Sequence, residues 1–252
     1  MRKINWLPVA LCLVALVGCQ RMRRTQSLHQ AAYVGSVSEV SRHLENGADV
    51  NGNVRGWTPL ALAAGEGHDA TVRALLDAGA DPEVRGGPPG EMTALETAVE
   101  GRHLSTVRLL LDRGASPNGE GESQWPPLVR AAHNNDVAII RELIDRGAAE
   151  DAQILALAAY YAVSEGAAKA YEALVDAGAK PRLFDAAAAG SAKLVARLLD
   201  EGADPNGMPG ANATPLYAAA GNGHAEITRL LLAAGADPEV GVGVGEGWTA
   251  LG

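Results

Sequence analysis

A Leu followed nineteen residues later by Gly-Ala recurs along this chain of 252 residues. The leading residues are Leu28, Leu60, Leu95, Leu128, Leu155, Leu183 and Leu216; the closing glycines are Gly47, Gly79, Gly114, Gly147, Gly178, Gly202 and Gly235. Only the fifth unit departs from the spacing, by four extra residues. A repeat of this length constrains the fold before any local propensity does. One unit is too small to bury its own apolar face, so units must stack, each touching only its neighbours. The functional question then becomes which partner the stack holds, before which reaction it runs.

Each unit reads as two short helices. In the second, Thr58-Pro59-Leu60 opens the first helix: the Thr oxygen suits an unpaired helix N–H, and Pro fits the first helical position. Leu60, Ala63 and Ala64 give one apolar face, and Gly67-His68 interrupts it. Val72, Leu75 and Leu76 line a second helix, and Gly79 suits a left-handed stop. Thr93-Ala94-Leu95 and Thr214-Pro215-Leu216 repeat the opening, whereas Pro126-Pro127-Leu128 lacks the capping Thr and predicts a weaker start. Thr249-Ala250-Leu251 starts an eighth unit, read as truncated at Gly252.

Thr-Pro-Leu, paired Ala, Gly-His, Leu-Leu and Gly-Ala-Asp at about 33-residue spacing resemble the ankyrin repeat across residues 25–252. The resemblance implies an all-α solenoid of stacked antiparallel helix pairs with projecting turns. The leucine spacings are 32, 35, 33, 27, 28, 33 and 35. The two short ones flank the fifth unit and leave no room for a projecting turn, so an irregular middle repeat is expected. Its four-residue excess is expected between its helices, near Tyr160 to Ala168. Residues 84–91, 118–124 and 240–247 are rich in Gly or Pro and are expected to be mobile fingers.

The N-terminus reads as targeting sequence. Arg2 and Lys3 precede an apolar stretch over residues 7–17, too short to span a bilayer, which needs roughly 20 residues. The following Gly18-Cys19 resembles a bacterial lipoprotein signal. It implies a signal peptide over 1–18, lipid attachment at Cys19 and a basic tether over 19–24. An ordinary secretory signal or an uncleaved anchor is the alternative. Arg21, Arg23 and Arg24 weaken the charge asymmetry that export favours, and in an exported chain would lie near anionic headgroups. Gln20 in place of Asp resembles an outer-membrane destination. With Cys12 in the signal and Cys19 lipidated, no thiol is left for a disulfide or a zinc site. The expected location is the bacterial envelope, periplasm-facing; a plain periplasmic or cytoplasmic location is less favoured.

Formal charge is −9, and −11 without the signal, where 19 basic residues face 30 acidic ones. A basic face for nucleic acid is not foreseen. No nucleophile elbow, phosphate loop or metalloprotease helix is present in the sequence, so neither catalysis nor a cofactor nor a metal is expected. His68, His103 and His224 each lie eight residues after a leading Leu, where other units carry Ser36, Asp136 and Ser191. That alternation predicts helix-capping residues.

The resemblance makes the turn tips and the open face of each first helix the contact surface. Three residues before the leading Leu stand Trp57, Met92, Trp125 and Trp248, and four tryptophans are all the chain has. Past the alanine pair come Tyr33, Glu66, Glu100, His133, Asn134, Tyr160, Tyr161 and Asn222; after the leading Leu come His29, Glu96, Phe184 and Tyr217. Aromatic residues carry interface energy disproportionately. The candidate partner-binding set is Trp57, Glu66, Met92, Trp125, His133, Asn134, Tyr160, Tyr161, Tyr217 and Asn222.

The expectation is a monomeric, non-enzymatic protein-binding module on a lipid anchor. By resemblance to periplasmic ankyrin lipoproteins, a toxin-neutralising immunity role is one form of it. An envelope scaffold or stress-protection accessory supporting a neighbouring enzyme is the alternative.

Overall fold

In the computed structural model the described residues are 27–86, 92–119, 125–208 and 213–240. They form helices and no strand, with one isolated antiparallel bridge between Val54 and Trp57. The contacts divide into two compact units, Met1–Ser123 and Gln124–Gly252. The signal, Cys19, the 19–24 tether, Trp248 and the eighth repeat lie outside the described residues. Most of the three expected fingers does too.

The first unit holds three helix pairs: α1 (27–34) with α2 (Val37–Glu45), α3 (Pro59–Gly65) with α4 (Asp69–Asp77), and α5 (Ala94–Glu100) with α6 (Leu104–Asp112). First helices pack on first helices, α3 against α5, and second helices on second, α2 against α4 and α4 against α6. The contact is close because α3 presents Leu60, Ala61, Ala63 and Ala64, all buried. Each buried Leu contributes about 1.5–3 kcal/mol, and all seven leading leucines are buried.

The starts of the first helices follow their sequences. The Ala61 N–H donates to Thr58 Oγ1 at 3.1 Å, and Thr214 caps Tyr217 at 3.2 Å. Thr93 forms a reciprocal box: Glu96 N–H donates to its hydroxyl while the Thr93 N–H donates to the Glu96 carboxylate at 2.9 Å. The helix that follows Pro126 starts without a side-chain cap. The second helices all end on a left-handed glycine, as at Gly79 (φ +88°).

The second unit holds α7 (Pro127–His133) with α8 (Val137–Asp145), α9 (Ala152–Ser164) with α10 (Ala168–Asp176), α11 (Leu183–Ala189) with α12 (Ala192–Asp200), and α13 (Pro215–Gly221) with α14 (Ala225–Ala233). Its second pair departs from the others. The four-residue excess is not a loop between helices: α9 runs for 13 residues where the other first helices from α3 to α13 have 7. A short 3-10 turn, Ala148–Glu150, enters it, and Asp151 caps it through the Gln153 and Ile154 N–H groups. The sequence Ala-Gln-Ile-Leu-Ala-Leu-Ala-Ala-Tyr-Tyr carries no helix breaker, so added residues extend the helix.

The histidine slot also differs from the capping role expected of it. Asp136 and Ser191 do cap, accepting from Ile139 and Leu194 N–H at 3.2 Å each. His68, His103 and His224 do not. Each imidazole instead donates from Nε2 to a carbonyl of the preceding repeat: Tyr33 O at 3.1 Å, Gly65 O at 3.0 Å and Ala188 O at 3.3 Å. The ring is too long to fold back onto its own helix N-terminus, and long enough to cross the joint. Its landing place is a glycine. A Cβ on Gly35, Gly67 or Gly190 would lie 2.7, 2.6 or 2.6 Å from the ring of His68, His103 or His224 respectively. Where Ala167 or Ser191 follows instead, the matching positions are Asn135, and Gly166 with open space.

Candidate binding surface

In the first unit, the Val54–Trp57 turn folds on itself. Its two paired backbone bonds are 2.9 and 3.1 Å, and Asn53 accepts the Gly56 N–H. The His29 ring donates from Nε2 to Trp57 O at 2.8 Å, tying the turn to α1. His29, an inner-face candidate by position, is therefore buried and structural. So is Glu96: its side chain has no exposed surface and takes a two-pronged contact from Arg85 at 3.1 and 3.3 Å. With the Gly86 N–H donating to Met92 O at 3.2 Å, Arg85 fixes the base of the second turn.

These ties bring Trp57, Glu66 and Met92 to one groove of about 450 Å³. Ala61, Leu62, Gly65, Thr97 and Gly101 also line it, and Tyr33, Glu66 and Glu100 stand exposed along it. An apolar floor with aromatic and thioether walls and two carboxylates at its margin suits a long basic side chain. The stem of such a side chain would pack on the floor, with its cation at the ring faces and the carboxylates balancing its charge.

In the second unit, four more candidates gather. Trp125 lies 4.4 Å from the Tyr161 ring and 5.3 Å, edge-on, from His133; Tyr160 meets Tyr161 edge-on at 5.5 Å. His133 Nδ1 is 3.5 Å from Glu165 Oε1. The cluster exists because α9 is long: Tyr160, Tyr161 and Glu165 all lie at or beyond the point where a regular first helix ends. Helix α9 is also apolar nearly all round, with only Gln153 and Ser164 outside that pattern. Such a helix belongs in an interior, yet Leu157 and Tyr160 are exposed, Tyr160 by 66%. A second cavity, of about 510 Å³, lies between α9 and α11.

Three candidates stand outside these groups. Asn134 is the half-buried C-terminal cap of α7. Tyr217 is half-buried on α13. The Asn222 amide donates to Ala188 O at 2.9 Å, the same carbonyl that His224 reaches, so it serves the joint. Phe184 and Tyr171 line the larger cavity.

Stacked two-helix repeats, left-handed glycine stops and cross-repeat histidines define a repeat interaction protein. The profile described as ankyrin repeats (3 copies) matches residues 11–86, 28–121, 98–185 and 183–252, and the chain belongs to the ankyrin-repeat family. Segments of it are similar to three curated relatives. These are mitochondrial disaggregase of Bos taurus (51% identical over 59 residues), ankyrin repeat domain-containing protein 40 of Mus musculus (37% over 67) and DNA-binding protein RFXANK of Mus musculus (41% over 70). The matches cover 23, 26 and 23% of this chain but only 9, 18 and 26% of those proteins. The likeness is thus one of repeats, and the family is one of protein–protein interaction modules.

Proposed function

We propose that this chain is a non-enzymatic, monomeric protein-binding module held at the bacterial envelope by lipid on Cys19, facing the periplasm from the outer membrane. It binds one folded protein partner through the Trp57–Glu66–Met92 groove and the Trp125–His133–Tyr161 cluster, each acting from its own unit. The observation that carries the reading is the convergence of seven aromatic, Met and acidic candidates, scattered over about a hundred residues, into two groups. An acidic chain with carboxylates at both groups favours a partner presenting Lys or Arg beside apolar side chains. Neutralisation of a secreted toxin is the specific role we favour, by analogy of architecture.

The test is co-purification from solubilised envelope, comparing the intact protein with a Trp57→Ala/Trp125→Ala variant. A stoichiometric partner retained by the former and lost by the latter supports the reading. A partner held equally by both overturns the interface. If the partner is an enzyme, loss of its activity at 1:1 supports immunity, and full activity in the complex points to a scaffold. A Cys19→Ala protein that still sediments with membranes overturns the lipid anchor.

A further inference from the structure

One face of α9 borders the cavity of about 510 Å³ beside α11: Ala152, Leu155, Ala156, Ala159, Tyr160 and Val163. They fall at i, i+3, i+4, i+7, i+8 and i+11, the spacing of a helical stripe, and none is charged. Ala152, Ala156 and Tyr160 are exposed, and Leu157 extends the apolar surface beside them, 37% exposed. Two features leave the stripe open. Leu155 and Leu183 are 28 residues apart, against 33 for Leu183 and Leu216, so the chain passes from Gly178 into α11 with no projecting turn to lie over it. Tyr171, on α10 and 1% exposed, borders the cavity from within. It lies seven residues before the closing glycine, where other units carry Val40, Val72, Val107, Ile140, Val195 and Thr228. The larger ring goes with a looser joint: α9 lies less closely on α11 than on α7.

The rim of the cavity carries an exposed cation, Lys180, which has no ion pair among the described residues. It stands two residues after Gly178, where four other units carry Asp49, Asp81, Asp204 and Asp237. Each of those carboxylates accepts the N–H two residues further on and so holds its turn. An ammonium cannot accept, so this reversal of charge does not serve the turn. The charges around it are engaged. Arg182 Nε and Nη2 donate to Asp185 at 2.6 and 2.8 Å, Asp151 caps α9, and Glu165 faces His133. In a chain of net charge −9 this wall is therefore locally positive.

Both walls are helices, whose backbone groups are engaged along their own axes, so they offer no strand edge to an extended peptide. A segment entering here must satisfy its own backbone, and a helix does that. We propose that the cavity between α9 and α11 seats an amphipathic helix of a protein partner, its apolar stripe against α9 and an Asp or Glu paired with Lys180. The assignment rests on the reading of this chain as a protein-binding module and adds to it a surface of opposite charge preference to the Trp57 groove.

Selection from a displayed library of helical peptides on the full-length chain tests it, with Ala156→Glu as the counter-selection target. Ala156 is exposed on the wall and Glu forms helix nearly as well as Ala, so the variant is expected to melt with the parent. Surviving peptides are expected to carry apolar residues at i, i+3, i+4 and i+7 beside an Asp or Glu, and to bind Ala156→Glu at least about tenfold more weakly. Lys180→Glu is expected to weaken them about three- to fivefold, and replacing the peptide's acidic residue with Lys to restore the loss. The readout uses no natural partner, so its failure is distinct from a failed co-purification through the Trp57 and Trp125 surfaces. No surviving peptide, survivors without an acidic residue or without helical apolar spacing, or binding indifferent to Lys180→Glu overturns the proposal. A dimer of the chain that Ala156→Glu dissociates also overturns it, by making a second copy the occupant.

Discussion

The two units solve the same stacking problem in different ways. In the first, both joints, from the α1–α2 pair to the α3–α4 pair and on to the α5–α6 pair, use an imidazole landing on a glycine. In the second, only the joint between the α11–α12 and α13–α14 pairs does. The joints around α9 use direct helix contact instead, α7 on α9 and α9 on α11. The difference teaches where variation is affordable. A joint fixed by a directional bond and a steric fit demands particular residues on both sides. A joint made by a long apolar helix tolerates an unusual residue such as Tyr171 and leaves a cavity beside it.

The sharpest way to break this contrast is Gly101→Ala. The backbone there is helical (φ −72°), so propensity alone favours Ala by up to about 1 kcal/mol. Yet a Cβ would lie 2.5 Å from Gly65 O and 2.6 Å from the His103 ring. A loss of about 2–3 kcal/mol is expected, read as a lower urea midpoint. Gly221→Ala, with open space around it, should be neutral or slightly stabilising. Equal effects would dissolve the distinction between tight and loose joints.

In the second unit, alkaline pH provides the matching probe. Tyr171 is neutral in the fold up to about pH 12, whereas its ordinary value is 10.0. Its folded pKa is raised, so its contribution is intact below pH 10 and is lost as pH climbs through the folded value. Wild type is expected to lose about 2–3 kcal/mol over that window relative to Tyr171→Phe, measured as the difference between two urea titrations. Parallel pH profiles would mean the hydroxyl is not buried as described.

Arg85→Ala comes next. It strips Glu96 of its guanidinium while the carboxylate stays buried, and a loss of about 1–3 kcal/mol is expected in thermal unfolding. The smallest effect separates the two uses of one slot. His103→Asn should cost about 1 kcal/mol, because Asn cannot reach Gly65 O, while Asp136→Asn should cost a few tenths, Asn being as good a cap. The same cost for both would return the histidines to the capping role.

Much of this was legible from the spacing of leucines and glycines alone. The leading leucines, the Thr caps, the uncapped start at Pro126 and the glycine stops follow from local chemistry, and local chemistry is written in order along the chain. The grouping of Trp57 with Met92, and of Trp125 with Tyr161, was legible only as a shared slot, because the partners are a repeat apart. Two features escape local reasoning for one reason. Counting along the chain puts the excess of the fifth unit in a loop although Ala152–Ser164 contains no Gly or Pro, and puts the histidines on their own helices. Position within a repeat records what a residue is next to in sequence; His103 and Gly65 meet across thirty-eight residues. Tyr171 did carry a signal, a phenol in a Val/Ile slot, visible once the second helices are aligned on their closing glycines.

The imidazole–glycine contact also has a bearing on how such an array can be edited. Each repeat carries a socket at its inter-helix turn and a key, or none, at the entrance to its second helix. A repeat with Gly35 or Gly67 at its inter-helix turn accepts a successor with or without a His key; one with Asn135 in that place accepts only a keyless successor. Duplication, deletion or shuffling of repeats is therefore not free. Moving the α3–α4 repeat to follow α7–α8 would drive His68 into an Asn side chain, whereas moving it to follow α11–α12 would meet Gly190. The order of repeats in this chain thus carries a compatibility rule, legible in two residues per joint, that a recombined or lengthened version must obey.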